Sequence, residues 1–339
     1  MQSTETSRML QLISGFHVSR ALYVAATLGL ADKVAGGTHD IDELAQATHT
    51  DAGALLRTVR LLATVGVFAI DARGQIQMTP LAHTLRSDAP SSLQGWAIDQ
   101  LGGEHYQAWG ELLHSVRTGS DAFHHLFGQS PWQHRADNPA SAQAFDAGMS
   151  SFLQAHHAAV IAAYPFARFQ RIVDLAGGDG QFMVAVLQSC PELQGAVFEL
   201  PHVANKATQR LAEAGLQDRG HALAGSLFET LPTGADAYVL SRVIHDWADA
   251  DALRILRNAH VAAAPTSTLL LVERVLAETC EATAAQQAIA TSDLNMLVMT
   301  GGRERSVAQY RQLLGEAGWW LTRVIDTDTA LSVIEAVPA

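Results

Sequence analysis

Two cysteines in 339 residues, Cys190 and Cys280, cannot build a disulfide framework and read as reduced thiols of a cytoplasmic protein. Positive charge is also scarce. Lys and Arg number 22 against 34 Asp and Glu, the net charge is −12, and no block of like charges occurs. Nucleic acid is bound through clustered Lys and Arg, so no nucleic-acid partner is expected. No apolar run is long enough to span a bilayer. The longest, Ala21 to Ala31, is interrupted by Thr27 and Gly29, and no membrane association is expected. The stretch Met1 to Arg8 is polar and lacks the apolar region of a secretory leader. Histidine is plentiful, with 15 residues. Yet the pairs His124-His125 and His156-His157 are adjacent and would point about 100° apart on a helix. No Cys/His/carboxylate spacing of a zinc site accompanies them, so they read as surface or packing residues and no metal is expected. Repeats and low-complexity segments are absent too.

What is present falls into two or three domains, as the length suggests. Residues 10–35 carry apolar side chains at Leu10, Ile13, Phe16, Ala21, Val24 and Leu28 and predict a helix. Asp40 to Ala45 predicts a short capped helix, and Asp51 opens a longer one that ends near Gly66. Val67–Ile70 and Gln75–Met78, either side of Asp71-Ala72-Arg73-Gly74, predict a hairpin. Three helices and a hairpin form a winged-helix pattern, which often binds DNA. Here residues 31–90 hold seven acids against five bases and present no basic face, so a dimerisation or lid role fits better. Residues 91–165 read as mainly helical and rich in aromatics (Trp96, Tyr106, Trp109, Phe123, Phe127, Trp132, Phe145, Phe152), suiting interdomain packing, the wall of an aromatic pocket, or both.

From Arg171 strand and helix alternate. Strands are expected at 171–176, 195–200, 221–226, 236–243 and 267–274, with a closing hairpin from Leu321–Asp326 and Ala330–Ala336. Helices are expected near 180–189, 202–214, 249–262, 284–299 and 306–317. Seven strands ending in an antiparallel pair indicate a doubly wound α/β sheet.

The densest signal is Arg171-Ile172-Val173-Asp174-Leu175-Ala176-Gly177-Gly178-Asp179-Gly180, answered 22 residues after Gly177 by Glu199. A strand ending in an acid, a glycine turn and a helix is how such a fold opens a nucleotide site. The glycines let the backbone approach the ligand, and the second acid suits ribose hydroxyls. A nicotinamide fingerprint would want a third glycine where Met183 stands. Asp174 and the seven-strand ending favour S-adenosylmethionine (SAM) instead. Next comes Ser241-Arg242-Val243-Ile244-His245-Asp246-Trp247 at the end of the fourth strand, where ligands of such sheets bind. Glu273 ends the fifth strand, and Glu304 is expected to start the helix after the Gly301-Gly302 pair. A histidine with two carboxylates in reach is an acid–base constellation. The alternative is that His245 caps a helix while both acids make surface pairs.

Together these motifs resemble the small-molecule O-methyltransferases of the plant caffeate/hydroxyindole type, in their bacterial branch. The resemblance covers nearly the whole chain and includes Phe198-Glu199-Leu200-Pro201-His202-Val203 and Asp293-Leu294-Asn295-Met296-Leu297. It implies a Rossmann-like seven-stranded SAM-methyltransferase domain (166–339), preceded by a winged-helix-like dimerisation domain (1–98) and a helical linker contributing to the acceptor pocket (99–165). It implies a homodimer, SAM as donor with S-adenosyl-L-homocysteine as product, and an aromatic hydroxyl as acceptor. By position it makes His245 the base flanked by Glu273 and Glu304. It places the cofactor against Asp174, Ala176, Gly177, Gly178, Glu199, Ser226, Leu227, Ser241 and Arg242, and the acceptor against Met149, Asn295 and Met296. Glu273 is expected to hold the imidazole's second nitrogen, with Glu304 doing the same or steering the ring. Three residues depart from the family pattern: Ala176 for the first loop glycine, Ser226 for a common acid, and Ser241 for the lysine of plant members. Two other classes stay open, a SAM-binding regulator that transfers nothing and a nicotinamide-dependent oxidoreductase.

Overall fold

The computed structural model describes residues 4–89 and 92–339. The chain divides into two compact units. One comprises residues 1–110 with 132–153, the other residues 111–131 with 154–339.

In the first unit a helix spans Thr4–Thr27 and a second spans Leu30–Ala35. Residues 10–35 are therefore two helices rather than one. Gly29 sits at φ 62°, a left-handed conformation open to glycine, and the turn there lets Leu30, Ala31 and Val34 reach the core. Helices Ile41–Thr48 and Ala52–Thr64 follow, each opened by an aspartate, Asp40 or Asp51, whose carboxylate accepts backbone N–H groups of the first turn. The hairpin Phe68–Ile70 with Ile76–Met78 closes around Asp71, which accepts from the N–H of Arg73 and Gln75. Leu44, Leu55, Val59, Leu62, Phe68 and Ile76 form the core of this unit. The outer half of the first helix is different. Met9, Leu12, Ile13 and Phe16 recur at helical spacing and are all more than half exposed. A continuous apolar stripe facing water is the mark of a surface awaiting a partner.

The second unit is a seven-stranded sheet. Across it the strands run Trp319–Asp326, Ser332–Pro338, Thr268–Glu273, Ala237–Ser241, Arg171–Leu175, Gln194–Glu199 and Gly220–Ala224. The first two pairings are antiparallel and the other four parallel. The parallel strands are apolar almost throughout because helices cover both faces. Arg171–Leu175, the earliest of these strands in the chain, lies inside the sheet. The chain leaves it toward one edge through 194–199 and 220–224, then returns to build the other side through 237–241 and 268–273. That reversal opens a crevice at the carboxyl ends of Arg171–Leu175 and Ala237–Ser241, where such sheets hold their ligands. Among the described residues no helix is long and apolar enough to cross a membrane.

Trp319 anchors the antiparallel edge. Its ring is buried, packs edge-on against His260 and donates from Nε1 to the Leu256 carbonyl at 2.9 Å. Trp319→Ala should cost about 3–5 kcal/mol, as expected for an aromatic removed from a packed core. Urea unfolding followed by circular dichroism checks this; a loss under 1 kcal/mol would show that the edge is not held by the ring.

Candidate active site

The glycine loop follows the central strand. Ala176 stands at φ 56° and Gly178 at φ 58°. An alanine in that region carries a cost of about 1–2 kcal/mol, which a glycine would avoid. The conformation is held by the Ala176 N–H, which donates to the Phe198 carbonyl at 2.8 Å. At Gly177 a Cβ would lie 2.4 Å from Asp174 Oδ2, so any side chain would collide with the acid beneath it. Gly178 N–H donates to Glu199 Oε2 at 3.1 Å, and Leu200 N–H donates to Oε1 at 2.7 Å. Glu199 thus reaches the loop from the neighbouring strand. Asp179 pairs with Arg210 on the helix Pro201–Glu213, tying the loop to the element behind Glu199.

Asp174 is buried, and among the described residues neither carboxylate oxygen has a hydrogen-bond partner. Burial, then the nearby charge of Glu199, pushes its carboxyl up to about 8. Burial also raises Glu199, against the two N–H groups that it accepts. Two acids raised by burial thus lie under a loop in which a side chain at Gly177 would strike Asp174.

The other residues expected at the cofactor lie at neighbouring strand ends. Ser226 Oγ accepts from the Phe228 N–H at 3.3 Å, and Asn258 holds the Leu227 carbonyl at 2.8 Å. Ser241 ends its strand, and Arg242 follows at φ 56° with its N–H on the Val272 carbonyl. Two non-glycine residues in left-handed backbone at the ends of the two switch-point strands mark local strain held by the fold.

The backbone then makes a 3-10 turn, Ile244–Asp246, which buries His245. His245 Nδ1 lies 3.0 Å from Glu304 Oε1 and 3.5 Å from Glu273 Oε2; Nε2 is 3.8 Å from Asp246 Oδ1. The hydrogen bond therefore goes to Glu304. Glu273 uses Oε1 to accept the N–H groups of Val243 and Ile244 at 3.0 and 2.8 Å. The strand-end acid grips the turn's backbone, so the side-chain hydrogen bond falls to the loop acid. Glu304 also precedes the next helix rather than starting it. Ser306 opens the helix Val307–Glu316 with a reciprocal cap to Gln309. Glu304 keeps zero exposure, and its N–H is tied to Asp293 Oδ1 at 2.9 Å.

Burial alone would lower His245, but the carboxylates of Glu273, Glu304 and Asp246 outweigh it and push the imidazole up to about 9. Burial pushes Glu273 up to about 7. For Glu304, burial is opposed and outweighed by the imidazolium, which holds its carboxyl below the ordinary range. The three donor atoms lie within 4.8 Å of one another. They form an acid–base cluster, since Nδ1 and Glu304 Oε1 are committed to each other and the Arg274 guanidinium stands 3.8 Å from the same oxygen.

Asn295 and Met296 lie on the helix Ala284–Thr300, which packs on the His245 turn; Met296 is buried and Asn295 half-buried. Met149 lies on the helix Pro139–Ala163, in the part belonging to the first unit. The side chain of Phe152, on the same helix, is outside those described. Sequence reasoning missed the parts that hold the turn. Arg305 is fully buried; it binds Asp249 Oδ1 through Nε and Nη2 and donates to the carbonyls of Ile244 and Trp247. At Gly302 a Cβ would lie 2.1 Å from the His245 carbonyl, which accepts from the Arg303 N–H at 2.8 Å. The only sequence signal for either was the Gly301–Arg305 run itself.

Asp174 yields a stability test. Its folded pKa is raised above the unfolded value of about 3.9. The ionised form therefore destabilises the fold, by an amount that grows between pH 4 and pH 8 and then levels off. Asp174→Asn should raise the melting temperature of the ligand-free protein at pH 8 and leave it unchanged near pH 4. Scanning calorimetry at both values checks this; a loss of stability at pH 8 would show that the charged form is satisfied.

Residues 109–320 match the family model of the O-methyltransferase domain, and residues 10–88 match that of the O-methyltransferase dimerisation domain. The phenazine O-methyltransferase PhzM of Lysobacter antibioticus is 40% identical over 333 residues, 98% of this chain and 96% of its own. Aclacinomycin 10-hydroxylase RdmB of Streptomyces purpurascens is 36% identical over 306 residues, 88% of this chain and 80% of its own. The crystal structure of the O-methyltransferase NcsB1 from neocarzinostatin biosynthesis, in complex with SAM and 2-hydroxy-5-methyl naphthoic acid, matches with a TM-score of 0.83 and 33% identity, covering 95% of this chain and 96% of its own. Both family models and the site laid out above agree: the chain belongs to the O-methyltransferase family, with the family's dimerisation domain preceding its catalytic domain.

Proposed function

We propose that this protein transfers a methyl group from SAM to a hydroxyl of an aromatic or heteroaromatic small molecule, with His245 as general base. The observation that carries this reading is the commitment of His245 Nδ1 to Glu304. A carboxylate can only accept, so Nδ1 holds the hydrogen, and the neutral ring's lone pair is on Nε2. His245 is thereby set to take a proton at a defined atom beside the crevice.

The residues fit SAM. Glu199 supplies negative charge and acceptors for ribose hydroxyls, the buried Asp174 carboxyl would ionise more readily beside a cation, and Ala176–Gly178 supply a close backbone approach. When bound, SAM supplies an electrophilic methyl group on a sulfonium. Ser226 and Leu227 would face the adenine, and Ser241 and Arg242 the methionyl end. Met149, Asn295 and Met296 would line the acceptor, and residues 99–165 would form much of its wall. We assign dimerisation to residues 1–98 and catalysis to 166–339. Met183 is buried where a nicotinamide site needs its third glycine, which disfavours hydride transfer.

The work left to the chain is positioning and proton removal. A phenol has a pKa of about 10 and is scarcely ionised at neutral pH. The carboxylates around His245 raise the imidazole towards that value, making it a stronger base for a phenol than a free imidazole. Below pH 9 more of the ring is already protonated and cannot accept, so turnover of a phenol should rise with pH through that range. The free cysteines, Cys190 buried and Cys280 exposed, suit a reducing cytoplasm.

His245→Ala should lower kcat on a weakly acidic phenol by about 10²–10⁴-fold and leave SAM affinity nearly intact. The loss should shrink for an acceptor that ionises near neutral pH. Turnover of hydroxyphenazines and naphthols of different pKa with labelled SAM checks this; near-wild-type turnover on the high-pKa acceptor would remove His245 from the base role. The family's dimerisation domain makes the protein a homodimer, and the Met9–Phe16 stripe is our candidate for the contact. Replacing Met9, Ile13 and Phe16 together with serine should convert the dimer to a 36.3 kDa monomer by light scattering. A variant that remains dimeric would place the interface elsewhere.

A further inference from the structure

Glu304 Oε1 accepts more than the His245 hydrogen. Ser292, on the helix Ala284–Thr300, donates its hydroxyl to the same oxygen at 2.6 Å. Ser292 Oγ in turn accepts from Arg274 Nη1 at 2.7 Å. Arginine can only donate. With Arg274 donating to Oγ, the hydroxyl hydrogen of Ser292 points at Glu304. The direction of the whole chain is thus set, from Arg274 to Ser292 to Glu304, with His245 donating from the other side. Ser292 and Arg274 are buried, so water does not compete for these bonds. Arg274 directly follows Glu273 in sequence, so one strand end contributes both the acid that grips the turn and the cation that orients the serine.

We propose that Ser292, oriented by Arg274, is a positioning residue for the reaction: its hydroxyl fixes the Glu304 carboxylate and, through it, the tautomer and ring plane of His245. The proposal deepens the reading of His245 as the base and rests on it. A second consequence concerns basicity. The shared oxygen divides its negative charge between two donors, so its pull on the imidazole proton is weaker than that of a carboxylate facing His245 alone. Every charge packed around the ring enters this balance. Asp246 on its own turn, Glu273 on the strand end and Glu304 on the loop favour the imidazolium. Arg242 after the fourth strand, Arg274 after the fifth and Arg305 on the loop oppose it. Asp293 on the serine's helix holds the Glu304 N–H, and the buried Tyr310 hydroxyl on the following helix stays protonated. Ser292 is the neutral member that decides how much of the Glu304 charge reaches the ring.

The test reads the imidazole directly. In full-length protein labelled at histidine ¹³Cε1, the His245 resonance is assigned by its loss in His245→Ala and titrated between pH 6 and 10. Ser292→Ala should move its midpoint upward by about one unit, a shift that leaves about tenfold less neutral base at pH 7. Glu304→Gln should move it downward, and Ser292→Thr, which keeps the hydroxyl, should restore the wild-type midpoint. Arg274→Met should move it in the same direction as Ser292→Ala. An unmoved midpoint in Ser292→Ala, or a threonine variant that behaves like alanine, overturns the relay. The titration needs no acceptor, so it stands apart from the turnover assays: loss of the base role would appear there, and loss of the relay only here.

Discussion

The structure is organised around one costly arrangement, an imidazole and two carboxylates with almost no exposure in a single buried cluster. Like charges a few ångströms apart in a low-dielectric interior repel strongly, and each needs compensation. The compensation is specific. Glu273 is held by two backbone N–H groups, Glu304 by Ser292 and His245, and the surrounding turn by Arg305. These bonds link the strand end at 273 to the turn at 243–245, that turn to residues 304–305, and the helix Ala284–Thr300 to Glu304. The cluster can exist only if the whole sheet end is assembled, which is why its parts come from four separate stretches of chain.

The same sheet end concentrates backbone strain. Ala176 and Arg242 hold left-handed conformations at the ends of adjacent strands, and Gly177, Gly225 and Gly302 sit where a Cβ would strike a neighbour. Strain of this kind persists only where the surroundings over-determine it. Here the Ala176 N–H is fixed to Phe198, and the Arg242 N–H to Val272. Both bonds extend the sheet's ladder one step past the regular strands, so sheet pairing holds the site loops in place.

Most of the fold was legible in the sequence because its signals are local. Parallel strands read as apolar runs, the hairpin turn as Asp71–Gly74, and the helix starts as Asp40 and Asp51. The failures were also physical. Gly29 was read as lying inside one helix because the apolar period continues across it, and period alone does not show which core each half faces. His245, Glu273 and Glu304 were legible as a set, since strand ends converge in this kind of sheet. Their division of labour was not. Which acid meets the ring and which grips the backbone depends on side-chain direction at a strand end and in a loop, and no spacing rule carries that. The roles of Ser292 and Arg305 were hidden for the same reason: Glu304 lies 12 residues from Ser292 and the Ile244 carbonyl 61 from Arg305.

The two ends of the site face opposite electrostatic problems, and this links them. At the histidine end, excess carboxylate is balanced internally by Arg242, Arg274 and Arg305. At the glycine loop burial raises both Asp174 and Glu199, and only at Glu199 do two N–H groups and the charge of His202 oppose it. Ionising Asp174 under the loop is therefore unfavourable, a cost that a cationic ligand would relieve and a neutral one would not. Stability is given up there for ligand preference, a trade expected where function sets the requirement. In a transfer that turns a sulfonium donor into a neutral thioether product, that acid would favour the donor over the product, because the attraction is lost with the positive charge. On the proposed reading, the acid at the end of the central strand would act on selectivity between the two ligands as well as on fold stability.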